Sequence, residues 1–376
     1  MRVLMLGSDP SLFVPESAAR ARLRAYAEKI GELHVLSTAP HGTPEIVDGP
    51  LSLHPVSVSK LFRVGALTRR ARALIGAHSI EIVSAQDPFE HGLAALRATR
   101  GTSAKLHIQV HTDFLSPWFV KSGNWRSPAV RMPLLNRYRL RIADQVLPEA
   151  DGVRVVSKRV KDSLSTRFGK RIPEPIILPI AVDTNVPEPV RLPDHSFTFS
   201  LIAVGRLEPE KRIEDILAAL ALVVPRYPVA GLFIVGEGRE RKKLEHLVRT
   251  LKLTDHVVFL GARADAQGLM QSAHAFIQAS AYEGYGRTLI EAALVKIPII
   301  TTDVGIVGEV FKGYEDVLAA PVADPTELSL HMVTLMEDAR ARIELPMHAE
   351  AAAKAHLEAV GDLSTRIAED LARLLA

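Results

Sequence analysis

Residues 201–212 read Leu201-Ile202-Ala203-Val204-Gly205-Arg206-Leu207-Glu208-Pro209-Glu210-Lys211-Arg212. An apolar run stops at Gly205, a charged loop follows, and an apolar helical pattern begins at 213. A fully apolar strand feeding a helix through a short polar loop is the repeating unit of a parallel sheet covered on both faces. The alternation continues outward. The second half predicts strands at 197–205, 231–236, 257–261, 275–279, 297–301 and 317–320, with helices at 213–224, 239–251, 266–271, 288–295 and 325–338. The first half predicts strands at 3–7, 33–37, 81–85, 105–110, 152–157 and 175–178, with helices such as 16–30 and 159–168 between them.

The expected fold is therefore α/β, with two Rossmann-like doubly wound domains facing a cleft. Ligands in such sheets bind outside the carboxyl ends of the strands. The first domain is expected over 1–183 and the second over 191–355. Pro187, Pro189 and Pro193 make the connector stiff and non-helical. The Ala-rich tail reads as helical.

The chain has 376 residues, no cysteine and a formal net charge of +3. The missing cysteines exclude disulfides, Cys-ligated zinc, iron–sulfur clusters and a Cys nucleophile. No apolar run approaches the roughly 18 residues of a spanning helix, and residues 1–7 read as a strand rather than a secretory leader. A cytoplasmic protein is expected. The small net charge is a cancellation: residues 1–185 balance at +10 and residues 186–376 at −7. Such asymmetry points to a charged partner for one half.

In the 201–212 stretch, Arg206 and Lys211 fall on the loop at the strand's carboxyl end. A planar fork and a compact ammonium suit a diphosphate; a solvated loop with Glu208 and Glu210 as local partners is the plain alternative. Residues 281–292 read Ala281-Tyr282-Glu283-Gly284-Tyr285-Gly286-Arg287-Thr288-Leu289-Ile290-Glu291-Ala292. Two glycines allow close backbone approach, and a helix start near Arg287-Thr288 offers free N–H groups to an anion. A carboxylate beside phosphate is repulsive, so Glu283 and Glu291 fit hydroxyls better, those of a sugar or ribose. Glu291 as a first-turn acid complementing the helix dipole, and Glu283 as a turn residue, is the alternative.

Gly205-Arg206 with Lys211, Gly236-Glu237-Gly238, Phe259-Leu260-Gly261, Glu283 with Glu291, and Gly305 to Glu309, in this order, resemble the retaining glycosyltransferases of family 4 (group 1), which have the two-domain GT-B fold. His111, Ala150-Asp151-Gly152-Val153-Arg154-Val155-Val156-Ser157 and Leu178-Pro179-Ile180-Ala181-Val182-Asp183 fit more loosely. The resemblance implies that Arg206 and Lys211 hold the donor's diphosphate, Glu283 the transferred sugar and Glu291 the ribose. It implies diphosphate contacts from the backbone of Gly284, Tyr285, Gly286, Arg287 and Thr288 beside Gly205. The turn Gly261-Ala262-Arg263 would lie against the base, and His111 would reach toward the donor sugar. A hinge would lie near 179–187, and a last helix, about 358–376, would cross back onto the first domain. The implied reaction moves a sugar from a UDP- or GDP-sugar to a hydroxyl acceptor, lipid-linked or glycan, with no tightly bound cofactor. The developing leaving-group charge meets cations and a helix amino end, so no metal is expected. An epimerase of similar fold, or a silent membrane-binding module, are the alternatives.

The chain departs from the family in lacking a glycine-rich turn after the first strand. Arg287 is a second departure; it either adds a diphosphate contact or pairs with Glu283. Residues 53–80 carry Lys60, Arg63, Arg69, Arg70 and Arg72 with no acid. Residues 114–143 carry Lys121, Arg126, Arg131, Arg137, Arg139 and Arg141 with Trp118, Phe119, Trp125 and Tyr138, again without acid. Peripheral contact of 57–80 and 114–143 with an anionic membrane at its inner face is the preferred reading; solvated helix faces are the alternative, and nucleic acid is not expected. His107, Gln109, His111 and Asp113 alternate on one strand face, where no metal site is expected. Asp87, Glu90 and His91 follow the strand at 81–85 as weak acceptor candidates, against a plain role for Asp87 as helix cap with Pro88 at the first helical position.

Overall fold

A computed structural model describes residues 1–120, 122–124, 127–131 and 134–376, without side chains for 120, 122–124 and 127–131. The chain divides into two compact units. The first comprises Met1–Leu115, Pro133–Pro179 and Asp362–Ala376; the second comprises Ser116–Met132 and Ile180–Gly361. Ser116–Met132, expected with the first domain, groups with the second unit.

The strands in chain order are β1 (Arg2–Gly7), β2 (Glu32–Thr38), β3 (Ile46–Asp48), β4 (Leu51–Val56), β5 (Ile82–Ala85), β6 (Lys105–Val110), β7 (Ser122–Asn124), β8 (Ser127–Arg131), β9 (Gly152–Val155) and β10 (Ile176–Ile177). The rest are β11 (Phe199–Val204), β12 (Ala230–Val235), β13 (Val257–Gly261), β14 (Ala275–Ile277), β15 (Ile299–Thr302) and β16 (Leu318–Ala320). The first unit holds an eight-stranded sheet ordered β10-β9-β6-β5-β1-β2-β4-β3, parallel except for the β3–β4 hairpin. Sequence reading missed β3 and β4. Both are short, Pro55 interrupts β4, and the Asp48-Gly49-Pro50 turn between them leaves no helix to mark a parallel crossover.

The second unit holds a six-stranded sheet ordered β13-β12-β11-β14-β15-β16, parallel throughout. Leu201, Leu232, Ile234 and Ile277 pack against Ile216, Leu217 and Leu220 of the helix Ile213–Val223, all fully buried. Each such side chain contributes about 1.5–3 kcal/mol. The strand order reverses between β11 and β14, so the loops after these adjacent strands diverge and leave a crevice at their carboxyl ends.

The tail is helical, in two segments. Ala339–Val360 stops at Gly361, whose φ of 61° suits glycine, and Asp362 caps Leu363–Ala372 by accepting from Ser364 N and Thr365 N. Ile367, Ala368 and Leu371 then pack with Leu23 and Ala27 in the first unit's core. Among the described residues no helix is long and apolar enough to cross a membrane. Of the aromatics expected on a membrane face, Phe119 is buried edge-on against Tyr282, and Trp118 lies under Arg212, both within the second unit. Tyr138 is 53% exposed. The side chains of Lys121, Trp125, Arg126 and Arg131 lie outside the described residues.

Candidate functional site

The crevice between β11 and β14 assembles much of the constellation expected in the second unit. The loop after β11 carries Gly205, Arg206 and Lys211; the loop after β14 carries Glu283 to Gly286. Ala281 N donates to Glu210 O at 2.7 Å, tying the two loops together. Gly236 is required where the loops crowd: a Cβ there would sit 1.9 Å from the Gly205 carbonyl oxygen. Lys211 ends a single 3-10 turn over Pro209–Lys211. Next to it, Arg212 adopts the left-handed conformation, and its guanidinium is forked onto Asp215 at 2.5 and 3.0 Å, both residues buried. That fork fixes the turn on which Lys211 stands.

Lys211 Nζ contacts Glu283 Oε1 directly, and both side chains are largely buried. Ser280 Oγ donates to the same carboxylate oxygen at 2.8 Å. Gly305, with φ 61°, lets the chain after β15 pass beneath this loop, because a Cβ would lie 2.4 Å from Tyr285 O. Ile306 N donates to Tyr285 O at 3.0 Å. The buried Tyr285 ring is anchored by its hydroxyl to His356 Nε2 at 2.8 Å, and burial pushes its phenol well above the ordinary range. Gly284 and Gly286 are buried in the same loop.

Gly286 precedes the helix Arg287–Leu294, and Thr288 Oγ1 donates to Gln278 Oε1 at 2.8 Å. Arg287 pairs with Glu291 at 2.9 Å, one turn on, and this corrects the expectation of a pair with Glu283. Helical i,i+4 spacing brings 287 and 291 together, whereas Lys211 already occupies Glu283. Burial raises the Glu291 carboxyl, Arg287 opposes that rise, and Asp183 adds to it.

The more peripheral candidates have local partners. Arg206 is exposed and meets Glu210 at 3.1 Å; Glu208 takes Arg239 at 2.9 Å. Arg263 forks onto Asp265 at 2.8 and 2.6 Å, beside the exposed Ala262 and after Gly261, whose O accepts from Gly236 N at 2.7 Å.

In the first unit, His111 follows β6 directly and heads a buried polar chain. Arg154 Nη1 donates to Gln109 Oε1 at 3.0 Å, which fixes the amide. His111 Nε2 lies 2.9 Å from the same oxygen and therefore carries its proton there, leaving Nδ1 as acceptor. Gln109 Nε2 donates to Ser84 Oγ at 2.8 Å, Ser84 Oγ reaches His107 Nδ1 at 2.8 Å, and His107 Nε2 faces Asp370 Oδ2 at 3.3 Å. Arg154 also donates to Leu178 O and Pro179 O, so one buried guanidinium joins the two loosely matching first-half motifs. Desolvation first, and Arg154 second, pull His111 down to about 3, so the ring is neutral at physiological pH.

The acceptor candidates already have partners. Asp87 contacts His91 Nδ1 and accepts from Phe89 N and His91 N at 2.8 and 3.3 Å. Burial works to raise Asp87, but these bonds outweigh it and the carboxyl ends lower than usual. Glu90 pairs with Arg139 at 3.1 Å. The helix begins at Glu90, so Pro88 precedes its first turn instead of opening it. Sequence reading missed Ser280, Asp215 and Asp370; a lone Ser or Asp carries no spacing signal, and their partners are set by the fold.

Two family models match the chain. One, described as glycosyl transferases group 1, covers residues 196–356, and the other, glycosyltransferase family 4, covers residues 16–186. The chain is 28% identical over 208 residues to a glycogen synthase of Mycobacterium tuberculosis, covering 54% of this chain and 50% of that one. It spans about half the length of that relative. Two solved structures share the fold over nearly their whole length. A sucrose-phosphate synthase of Thermosynechococcus elongatus has a TM-score of 0.80 at 18% identity, covering 100% of this chain and 99% of that one. HepE of Anabaena in complex with UDP-glucose has a TM-score of 0.76 at 20% identity, covering 99% and 100%.

Proposed function

The chain belongs to the group 1, family 4 glycosyltransferases with the GT-B fold, and we propose that it transfers a sugar from a UDP- or GDP-sugar to a hydroxyl acceptor with retention of anomeric configuration. The observation that carries this reading is the Lys211–Glu283 contact at the β11/β14 switch point. One cation and one carboxylate held together there suit a ligand that is anionic at one end and hydroxylated at the other. The UDP-glucose bound to the similar HepE supports a nucleotide-sugar donor.

In this reading Lys211 and Arg206 take the diphosphate, with the amino end of Arg287–Leu294 behind them. Breaking the sugar–phosphate bond adds negative charge to the diphosphate and leaves the sugar oxocarbenium-like. Preorganised cations and N–H groups stabilise that charge where it develops, without calling on a metal. Glu283 accepts from sugar hydroxyls, and Ser280 holds it in place. Glu291 accepts from the ribose. His111, neutral with Nε2–H committed to Gln109, offers Nδ1 as an acceptor to a donor-sugar hydroxyl. The Gly261-Ala262-Arg263 turn serves the base.

A lipid-linked acceptor, met at the inner face of an anionic membrane, fits the first unit's surface. Leu61, Phe62, Leu93 and Tyr138 line a groove of about 440 Å³ together with Arg69 and Arg97. Leu61 is 84% and Phe62 67% exposed. Apolar side chains between arginines suit an acyl or prenyl chain beneath a phosphate.

The direct test is a thermal-shift screen of the purified protein against UDP, GDP and ADP and their sugars, followed by product analysis with the stabilising donor. Selective stabilisation by one nucleotide and formation of an α-linked product from an α-linked donor are expected. No response to any nucleotide overturns the assignment; a released epimerised sugar nucleotide replaces transfer with epimerisation.

A further inference from the structure

The first unit carries a second cluster, at the opposite ends of the strands from the residues above. Glu32 and His34 project from the start of β2 on one face, His54 stands on the neighbouring β4, and His78 is the last residue of the helix Arg63–His78. His34 and His54 are buried. His34 Nε2 lies 2.8 Å from Glu32 Oε1, His34 Nδ1 3.0 Å from His54 Nε2, and His54 Nδ1 3.2 Å from Glu45 Oε1. Arg70 binds the same Glu45 oxygen. The His78 ring centroid is 4.2 Å from that of His34.

Counting protons shows what the cluster lacks. The line Glu32–His34–His54–Glu45 contains three polar contacts, and each needs one positive centre or proton between its heavy atoms. Two neutral imidazoles supply two protons. The line closes either with a buried imidazolium or with a cation in place of the third proton. Glu32, His34 and His78 each present a ligand atom, all within 4.8 Å of one another. We infer that Glu32, His34 and His78 form a binding site for a divalent metal of the zinc class. Two imidazoles and a carboxylate are the donors such an ion prefers, with water completing the shell.

With the ion on His34 Nε2, every remaining proton has a place. His34 Nδ1–H donates to His54 Nε2, and His54 Nδ1–H donates to Glu45, which Arg70 holds. That is the outer-shell pattern that orients a metal-bound histidine and raises its basicity. The location agrees: His78 ends a helix of 16 residues, where the terminal carbonyls favour positive charge. Glu32 is 45% exposed at its side chain, so the ion has an entry path. Because the cluster sits at the amino ends of the strands, the metal braces β2 against the helix end and takes no part in sugar transfer.

The test uses tag-free, full-length protein stripped with chelator and desalted. Addition of Zn²⁺ is expected to leave about one equivalent bound after a second desalting and to raise Tm by about 5 °C or more, reversibly with chelator. Co²⁺ should give the intense visible bands of a tetrahedral site. His78→Ala, at a half-buried helix end, should fold and lose both signals. His54→Ala should weaken Zn²⁺ binding about 10- to 100-fold, and His246→Ala, on the exposed face of the helix Arg241–Thr250 in the second unit, should match the parent. Donor-nucleotide binding by His78→Ala should be unchanged, which separates this site from the transferase assignment. No retained zinc, or retention undiminished in His78→Ala, overturns the inference and leaves the buried imidazolium as the answer.

Discussion

Lys211 Nζ touches the Glu283 carboxylate across 72 residues of sequence, at the point where the second sheet reverses its strand order. Neither side chain is more than 17% exposed. Each therefore neutralises a charge that would otherwise be costly in that crevice, and each is freed for a ligand only when the ligand replaces the other's contact. The proposed donor, carrying phosphate and hydroxyls, would do so without leaving either group unpaired.

Lys211→Ala and Glu283→Ala are accordingly expected to lower kcat/KM for transfer by about 10²–10³ or more while the fold persists. Stability should drop by about 1–3 kcal/mol in each, since the surviving partner is left half-desolvated. Steady-state kinetics with the matched donor and a urea titration measure the two effects. Turnover near the parent's in either variant would remove the assignment.

The Arg287–Glu291 pair gives a titration with a definite sign. Burial raises Glu291 and Arg287 pulls it back, so Arg287→Ala should raise the Glu291 pKa further. The folded value stands above the unfolded one. Stability from this group is therefore complete below the usual Glu range and is lost as pH rises through the folded pKa. Removing Arg287 should enlarge that loss and move it to higher pH. Carboxyl NMR of Glu291, with unfolding midpoints from pH 4 to 7, reads both; a Glu291 pKa unchanged by the substitution contradicts the pairing.

His111 carries the opposite sign. Its folded pKa is pulled down to about 3 from an ordinary 6.5. Its contribution is complete above the unfolded pKa and is lost as pH falls from near 6.5 toward 3, as the unfolded chain takes up a proton that the native state refuses. His111→Asn should flatten the stability curve over that window. The parent's kcat should show no limb from this residue between pH 5 and 8. His111 titrating near 6.5 in the native protein would disprove both statements.

Gln109 is the positioning residue in that arrangement, since its amide holds the His111 ring without reaching a ligand. Gln109→Glu keeps the size but places a carboxylate on His111 Nε2, so the His111 pKa should rise and an acidic limb should enter the rate profile. Gln109→Leu should lower kcat several-fold with a smaller change in KM. If Gln109→Glu leaves the pH profile untouched, Gln109 serves packing alone.

The parallel sheets were legible because apolar strand runs alternate with helical periods, a local signal. The loops that carry Lys211 and Glu283 were legible as strand-to-helix loops because an apolar run precedes each and a helical pattern follows it. What the sequence hid is long-range or conformational. Asp370 meets His107 across 263 residues. Ser280 is an ordinary loop serine until Glu283 turns back onto it. The β3–β4 hairpin lacks the crossover helix that marks its neighbours. Charge counting found the basic stretches but could not tell which aromatics face outward: Phe119 is used inside the second unit, while Leu61 and Phe62, given no role in the sequence reading, stand exposed.

Those two residues carry the last prediction. Leu61 and Phe62 lie on a 3-10 turn with Lys60, directly before Arg63 and the helix bearing Arg69. Two exposed apolar side chains inserted at headgroup depth, with cations meeting lipid phosphate around them, give binding that is additive in area and charge. Full-length protein should co-sediment with vesicles containing anionic lipid and release as salt is raised. Leu61→Asp with Phe62→Asp should abolish co-sedimentation at any salt, because it removes the insertion and reverses local charge together. Lys60→Gln with Arg69→Gln should weaken it and reduce its salt dependence. Neither pair should change nucleotide affinity, since Lys211 and Glu283 lie in the other unit. Vesicle binding absent in the parent, or retained in Leu61→Asp with Phe62→Asp, would leave the groove as a site for a water-soluble acceptor.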